Sequence, residues 1–286
     1  MTQGTAVAVA VAGAAVAGLT TGATTASADQ PSTRYVALGD SYASGAGLSQ
    51  LKDAECKRST SSYPSLMADV YKVGSFKDVT CSGATTRSIW NHQGSKPPQA
   101  QALSKDTTLV TLTIGGNDIG FAEVITACVL QGLAQPTGAP CKAAHTQGGT
   151  DVLAQRVNKL APRFGDVLTD VKRRSPKARV AVVGYPSLVP DSGAKCRPLA
   201  PIADGDVAYL RDTTKRLNSM LASEARKAGA VFVDVYNATK GHDMCQPANK
   251  RWIEPPLNPA PGTMAVHPNI MGQLFIAQAV DARLKK

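Results

Sequence analysis

Between Thr107 and Asp118 the sequence reads TTLVTLTIGGND, an apolar and β-branched stretch that runs straight into Gly-Gly-Asn-Asp. A strand that is apolar on both faces has to be covered on both faces, which places it inside a parallel sheet. The rest of the chain repeats an alternation around it. RYVAL (34–38) predicts a first strand, SYPSLMADVYK (62–72) a helix, FKDVTCSG (76–83) a second strand, and the stretch above a third. IGFAEVITACVLQ (119–131) predicts a helix. Asp151–Arg174 predicts a longer one, with Val152, Leu153, Val157, Leu160, Val167, Leu168 and Val171 near helical spacing. ARVAVVGYP (178–186) follows as a fourth strand, then a helix over Asp206–Ala228 with Gly229 as its stop, then AVFVDVYN (230–237) as a fifth strand. The last segment, from Pro268, opens at a proline and ends in cations, as a terminal helix does. This alternation predicts an α/β fold: a three-layer α/β/α sandwich around a central, mostly parallel five-stranded sheet. The Gly/Pro-rich stretches 131–149 and 255–262 read as long loops of one domain.

The first 28 residues stand apart from this pattern. AVAVAVAGAAVAGLTTGATTASA (6–28) is small and apolar and ends in Ala-Ser-Ala, a small-x-small cleavage pattern. Glycines and threonines make it a poor membrane span, so residues 1–28 are expected to be a cleaved export signal. Residues 29–286 are then one extracellular domain with no transmembrane segment, expected as a monomer. Six cysteines follow the signal, an even count that behind an export signal argues for three disulfides. Six cysteines allow 15 connectivities; pairing between sequence neighbours, Cys56–Cys81, Cys128–Cys141 and Cys196–Cys245, is the expectation. No Cys-x-x-Cys pair and no two histidines at ligand spacing point to a metal.

The net charge is +10, but the Lys and Arg residues are scattered, and aromatics are only 5% of the chain. That combination gives no stacking platform for nucleic acid, while attraction to an anionic lipid or cell-wall surface stays open.

Ligands of such sheets bind beyond the carboxyl ends of the strands. Three loops fall on that rim: ALGDSYASG carrying Ser41, CSGATT carrying Gly83, and IGGNDIG carrying Asn117. A serine hydroxyl becomes a useful nucleophile only beside a base. Of four histidines, His92, His145 and His242 sit in polar loops, whereas His267, in AVHPN, lies just before the last helix and returns to the same rim. Asn117 can donate its side-chain amide there, and Gly83 its bare backbone N–H, to a developing oxyanion. Taken singly, each is an ordinary turn residue.

Taken in order, Gly-Asp-Ser, Ser-Gly, Gly-Gly-Asn-Asp and His-Pro-Asn resemble the SGNH (GDSL) hydrolases, particularly the secreted actinobacterial lipases, esterases and phospholipases A1 of that family. The six-cysteine layout is also similar to theirs, in support of the sequential pairing. The resemblance implies a flavodoxin-like sandwich with Ser41 as nucleophile and His267 as base. It implies an oxyanion hole from the N–H groups of Ser41 and Gly83 and the Asn117 amide, with Asp40 a structural support of the nucleophile loop. No metal or organic cofactor is expected, and the implied substrate is a lipid or another acyl ester.

One position departs from the family pattern. Many members carry an aspartate three residues before the histidine, where this chain has Met264. No carboxylate lies between Glu254 and His267. The expectation is a Ser–His dyad whose imidazole N–H is accepted by a backbone carbonyl near Met264 or Ala265, with a remote carboxylate such as Asp243 or Glu254 as the alternative.

Other readings are weaker. An α/β-hydrolase would show Gly-x-Ser-x-Gly, and a P-loop enzyme Gly-x-x-x-x-Gly-Lys-Ser/Thr; neither occurs. A deacetylase of acetylated carbohydrate or cell-wall polymer would use the same residues, but two Trp and five Phe leave little for sugar platforms. Lipid is favoured, with segments 126–141 and 187–203 expected to supply an apolar acyl groove. A non-catalytic secreted binding module would be expected to have lost Ser41, Asn117 or His267, and all three are present.

Overall fold

The structure is a computed structural model that describes Met1 and residues 33–191 and 196–285; the expected export signal lies outside the described residues, as do residues 192–195 of the segment 187–203. Ser32–Lys286 form one unit. Its elements in chain order are β1 (Arg34–Gly39), α1 (Ser41–Ser44), β2 (Leu51–Asp53), β3 (Arg58–Ser59), α2 (Tyr63–Tyr71), β4 (Ser75–Asp78), β5 (Leu109–Thr113), α3 (Phe121–Ala134), α4 (Pro140–His145), α5 (Val152–Arg174), β6 (Arg179–Val183), α6 (Asp204–Lys227), β7 (Val231–Val233), α7 (Val235–Ala238) and α8 (Ile270–Leu284). The five-stranded sheet runs β4-β1-β5-β6-β7, parallel throughout, and β2 and β3 form a separate small hairpin.

Strand residues alternate between two cores. Val36, Leu38, Val110, Leu112, Val180 and Val182 face α5 and α6, meeting Leu160, Phe164, Leu217 and Leu221. Tyr35, Ala37, Ala181 and Val183 face α2 and α8, meeting Tyr63, Met67, Ile276 and Val280. Burying each such large side chain contributes about 1.5–3 kcal/mol. The threonines of β5 point into the second core without being orphaned: Thr111 Oγ1 bonds the Tyr35 hydroxyl at 2.7 Å and Thr113 Oγ1 that of Tyr63 at 2.9 Å.

Sequence order β4-β1-β5 means the chain leaves β1 toward one side and returns on the other. The crevice between β1 and β5 is therefore the topological switch point, where ligands of such sheets bind. Ser41 follows β1 and Asn117 follows β5, one on each side of it.

Three local expectations are corrected. The fifth strand stops at Val233, because the Asp234 carboxylate accepts from the Asn237 N–H at 3.1 Å and caps α7 where strand was expected. The second strand is assigned only to Asp78; the Arg58 guanidinium occupies the carbonyls of Asp78 and Thr80, although Cys81 N–H still reaches the Gly39 carbonyl at 2.9 Å. The stretch 131–149 is not one loop. It holds the last turn of α3 and all of α4, whose first N–H groups, from Cys141 and Lys142, are satisfied by Asp206 at 3.0 and 2.8 Å.

Disulfides join Cys56–Cys81, Cys128–Cys141 and Cys196–Cys245. The first ties the β2–β3 hairpin to the segment leading to Gly83, and the second ties α3 to α4. From the loop each closes, replacing Cys196 and Cys245 together by serine is expected to cost about 4 kcal/mol and replacing Cys128 with Cys141 about 3 kcal/mol. Denaturant titration of the two double variants checks both sizes and their order.

Candidate active site

The turn that presents Ser41 is enforced by contact. Gly39 has φ +149°, and a Cβ there would lie 2.5 Å from the Thr113 carbonyl oxygen, so no larger residue fits. Gln99, buried in a short 3-10 turn 60 positions along the chain, donates to the Gly39 carbonyl at 2.9 Å and accepts from its N–H at 2.8 Å. Asp40 then caps α1: its Oδ1 accepts from the Tyr42 N–H at 3.0 Å and its Oδ2 from the Tyr185 hydroxyl at 2.5 Å. Tyr185 is itself pinned. Asn218 on α6 accepts from its N–H and donates to its carbonyl, both at 2.8 Å, and its hydroxyl accepts from the Gly116 N–H at 2.8 Å. Burial pushes the Asp40 carboxyl up to about 7 against these hydrogen bonds, with the nearby Asp118 charge acting in the same direction. Asp40 thus ties the nucleophile loop, through Tyr185, to the loop after β5, and its carboxylate bonds Tyr42 and Tyr185 rather than the histidine.

His267 closes the site from the far end of the chain. Its Nε2 lies 2.8 Å from Ser41 Oγ and its Nδ1 2.8 Å from the Ala265 carbonyl. A carbonyl only accepts, so the proton sits on Nδ1 and leaves Nε2 free to take the serine proton. Burial depresses the imidazole pKa, the Ala265 carbonyl raises it, and the Lys57 charge lowers it further; the balance lies below the ordinary value of 6.5. The carboxylates left open as remote partners are bound elsewhere. Asp243 accepts from the Cys245 N–H and Gln246, and Glu254 from Arg251, Asn269 and the Ala260 N–H.

The donor side is built by two adjacent residues. The Asn117 amide donates one hydrogen to the Ala84 carbonyl at 2.8 Å, and Asp118 accepts from the Thr86 N–H at 2.9 Å and from its hydroxyl. These bonds staple the Gly83 loop to the loop after β5 and leave the second Asn117 hydrogen uncommitted. Gly83, at φ +81°, has the left-handed conformation that glycine tolerates best. Among the described residues, the N–H groups of Ser41 and Gly83 have no protein acceptor.

Ser41, Gly83, Asn117 and His267 line one cavity of about 400 Å³. One wall is α3, through Phe121, Ile125 and Val129 at i, i+4 and i+8, with Ala122, Thr126 and Leu130 beside them; Leu257, Met264 and Val266 stand among the other lining residues. The apolar wall is therefore a helix and not the loops expected. Thr126, Val129 and Leu130 belong to the first expected segment, whereas no described residue of 187–203 lines the cavity. Among the described residues, no three His, Cys, Asp or Glu side chains gather where a metal ion could be held. Tyr42, Gln99, Asp118, Tyr185 and Asn218 escaped the sequence reading; Tyr42 and Tyr185 carried a signal, the first beside Ser41 and the second just past β6 at the same rim.

Comparison with known proteins matches residues 37–273 to the GDSL-like Lipase/Acylhydrolase family. Lipase 2 of Streptomyces coelicolor is 40% identical over 254 residues, 87% of this chain and 84% of that protein. The crystal structure of phospholipase A1 from Streptomyces albidoflavus NA297 superposes with a TM-score of 0.74 at 31% identity, covering 88% of this chain and 99% of that one. The extracellular lipase of Streptomyces rimosus gives 0.73 at 29% identity, covering 88% and 100%.

Two outcomes follow from the geometry. Asn117→Ala is expected to lower kcat by about two to three orders of magnitude with little change in KM, as loss of one oxyanion donor does; steady-state kinetics on a soluble ester measures it. Only neutral His267 can accept a proton, so kcat/KM rises with pH through its pKa. With that pKa depressed, the acid half-point of the profile is expected below pH 6.5.

Proposed function

Because this chain belongs to the GDSL-like lipase/acylhydrolase family, we propose that it is a secreted, monomeric ester hydrolase that cleaves acyl chains from lipids by way of a Ser41 acyl-enzyme. The observation that carries this reading is the 2.8 Å contact of Ser41 Oγ with His267 Nε2 in a cavity walled by the apolar face of α3. Ser41 Oγ attacks the ester carbonyl carbon while its proton passes to His267 Nε2. The carbonyl oxygen becomes an oxyanion that accepts from the Ser41 and Gly83 N–H groups and the free Asn117 amide hydrogen. As the tetrahedral adduct collapses, the C–O bond to the alcohol breaks, and the alcohol leaves with the proton from Nε2. Water then gives its proton to the same nitrogen and attacks the acyl carbon; the bond to Oγ breaks, Ser41 takes the proton back from Nε2, and the acid leaves. Ala265 accepts the Nδ1–H throughout.

The wall suits an acyl chain: Phe121, Ile125, Val129 and Leu130 offer it an extended apolar track. The names of the relatives, two lipases and a phospholipase A1, support the same class. A net charge of +10 favours approach to anionic lipid surfaces. The three disulfides support an extracellular setting, and no helix among the described residues is long and apolar enough to cross a membrane.

The test is acyl release by the protein, with Ser41→Ala as the blank, from a phospholipid, a long-chain triacylglycerol, a short-chain aryl ester and an acetylated oligosaccharide. Fatty-acid release from the lipids, reduced about 10⁴-fold or more in the variant, is the expected result, and product analysis reports the position cut. Activity confined to acetyl groups would make the protein a deacetylase with the same machinery. A Ser41→Ala protein as fast as the wild type would overturn the mechanism.

A further inference from the structure

Taking His267 as the base, we propose that Tyr42 is a positioning residue for it: the Tyr42 hydroxyl holds the Val266 carbonyl and so locks the turn that aims His267 at Ser41 without a carboxylate. Ala265 supplies the acceptor and His267 the donor, so the residue between them must turn sharply for the 2.8 Å contact to form. That residue is Val266, at φ +61°. The left-handed region is where a β-branched side chain is least at ease, and such a conformation persists only where its surroundings over-determine it. Three backbone contacts help: Val266 N–H to the Glu254 carbonyl at 2.9 Å, Glu254 N–H to the His267 carbonyl at 3.0 Å, and His267 N–H to the Met264 carbonyl at 3.2 Å. Among the described residues, the one side-chain bond on Val266 is from the Tyr42 hydroxyl to its carbonyl, at 2.6 Å.

Tyr42 is suited to this because of what else it touches. It is the neighbour of Ser41, so the bond sets the base loop against the nucleophile itself. Its ring lies 4.9 Å from the His267 ring and packs edge-on against Tyr185 at 5.2 Å. Its carbonyl accepts from Gln273 on α8 at 3.0 Å, and Gln273 in turn accepts from the Tyr63 N–H at 2.7 Å. The Tyr42 side of the hydroxyl contact is therefore tied to α8 and, through Gln273, to α2. The need for it follows from the acceptor. A carboxylate orients an imidazole by charge over a range of angles, whereas a neutral carbonyl does so only within good hydrogen-bond geometry. A misplacement of about 1 Å at a reacting group can cost about 100-fold in rate.

The test uses Tyr42→Phe, which keeps the ring, together with Val266→Gly, which makes φ +61° free of side-chain strain. On a soluble short-chain ester, Tyr42→Phe is expected to lose about tenfold or more in kcat with KM within twofold and Tm within a few degrees of the wild type. Val266→Gly serves as the second background: there, adding Tyr42→Phe is expected to change kcat less than twofold, since glycine holds the turn on the backbone bonds alone. A Tyr42→Phe enzyme with wild-type kcat overturns the proposal, as does a Tyr42→Phe loss that is as large in the Val266→Gly background as in the wild type. Wild-type protein no faster than Ser41→Ala would instead show that the dyad reading itself fails.

Discussion

A backbone carbonyl, that of Ala265, holds the imidazole of His267 where a catalytic triad would place a carboxylate, and this sets what the surrounding structure has to supply. A carboxylate would stabilise the imidazolium by charge; a carbonyl offers only a dipole in one direction. In the proposed mechanism, the imidazolium formed during attack finds its counter-charge on the other side, in the oxyanion over Ser41, Gly83 and Asn117. The two charges arise together and disappear together. Burial of the ring strengthens that mutual attraction while weakening the base at rest, the direction in which the His267 pKa is displaced. The donor side of such a site carries more of the work than it would beside a full triad.

That donor side is held by a network whose hub is acidic but is not a third catalytic member. Asp40 accepts from Tyr42 and Tyr185, Tyr185 accepts from Gly116, and Asn218 grips Tyr185 from α6. The nucleophile loop, the loop after β5 and a helix of the α5–α6 layer are thereby fixed relative to one another through a single buried carboxyl. Asn117 and Asp118 extend the same arrangement to the Gly83 loop. The residues that touch a reacting ester are few, and most of the polar side chains around them serve to hold loops from different strands at one separation.

Much of this was legible because a parallel sheet delivers every strand's end to the same edge. The apolar run Leu109–Ile114 marked an interior strand, and the glycines, serine and asparagine after β1, β4 and β5 marked the rim. The want of a carboxylate near Met264 pointed to a main-chain acceptor close to Ala265. What escaped was non-local or capped by a side chain. Gln99 meets Gly39 across 60 positions and Tyr185 meets Asp40 across 145, and no local pattern announces such a pairing. Val231–Asn237 reads as strand by composition, yet the cap made by Asp234 turns its second half into helix. The stretch after Gln131 looked like loop because Gly and Pro dominate it; the acidic partner that organises α4, Asp206, lies on another helix.

Ser41 and His267 are separated by 226 positions, the first near the opening strand and the second just ahead of the closing helix. Pairing over so long a span is among the slowest events in assembling a chain, since the loop must close before the contact rewards it. In the folded chain the proposed pair sits beside the bond from Gln273 on α8 to the Tyr42 carbonyl. Until then the serine hydroxyl has no base and is as unreactive as any other. On the proposed dyad, a chain that has not yet brought its last segment up to its first strand carries a serine without a base, and arrival of that segment is what arms it.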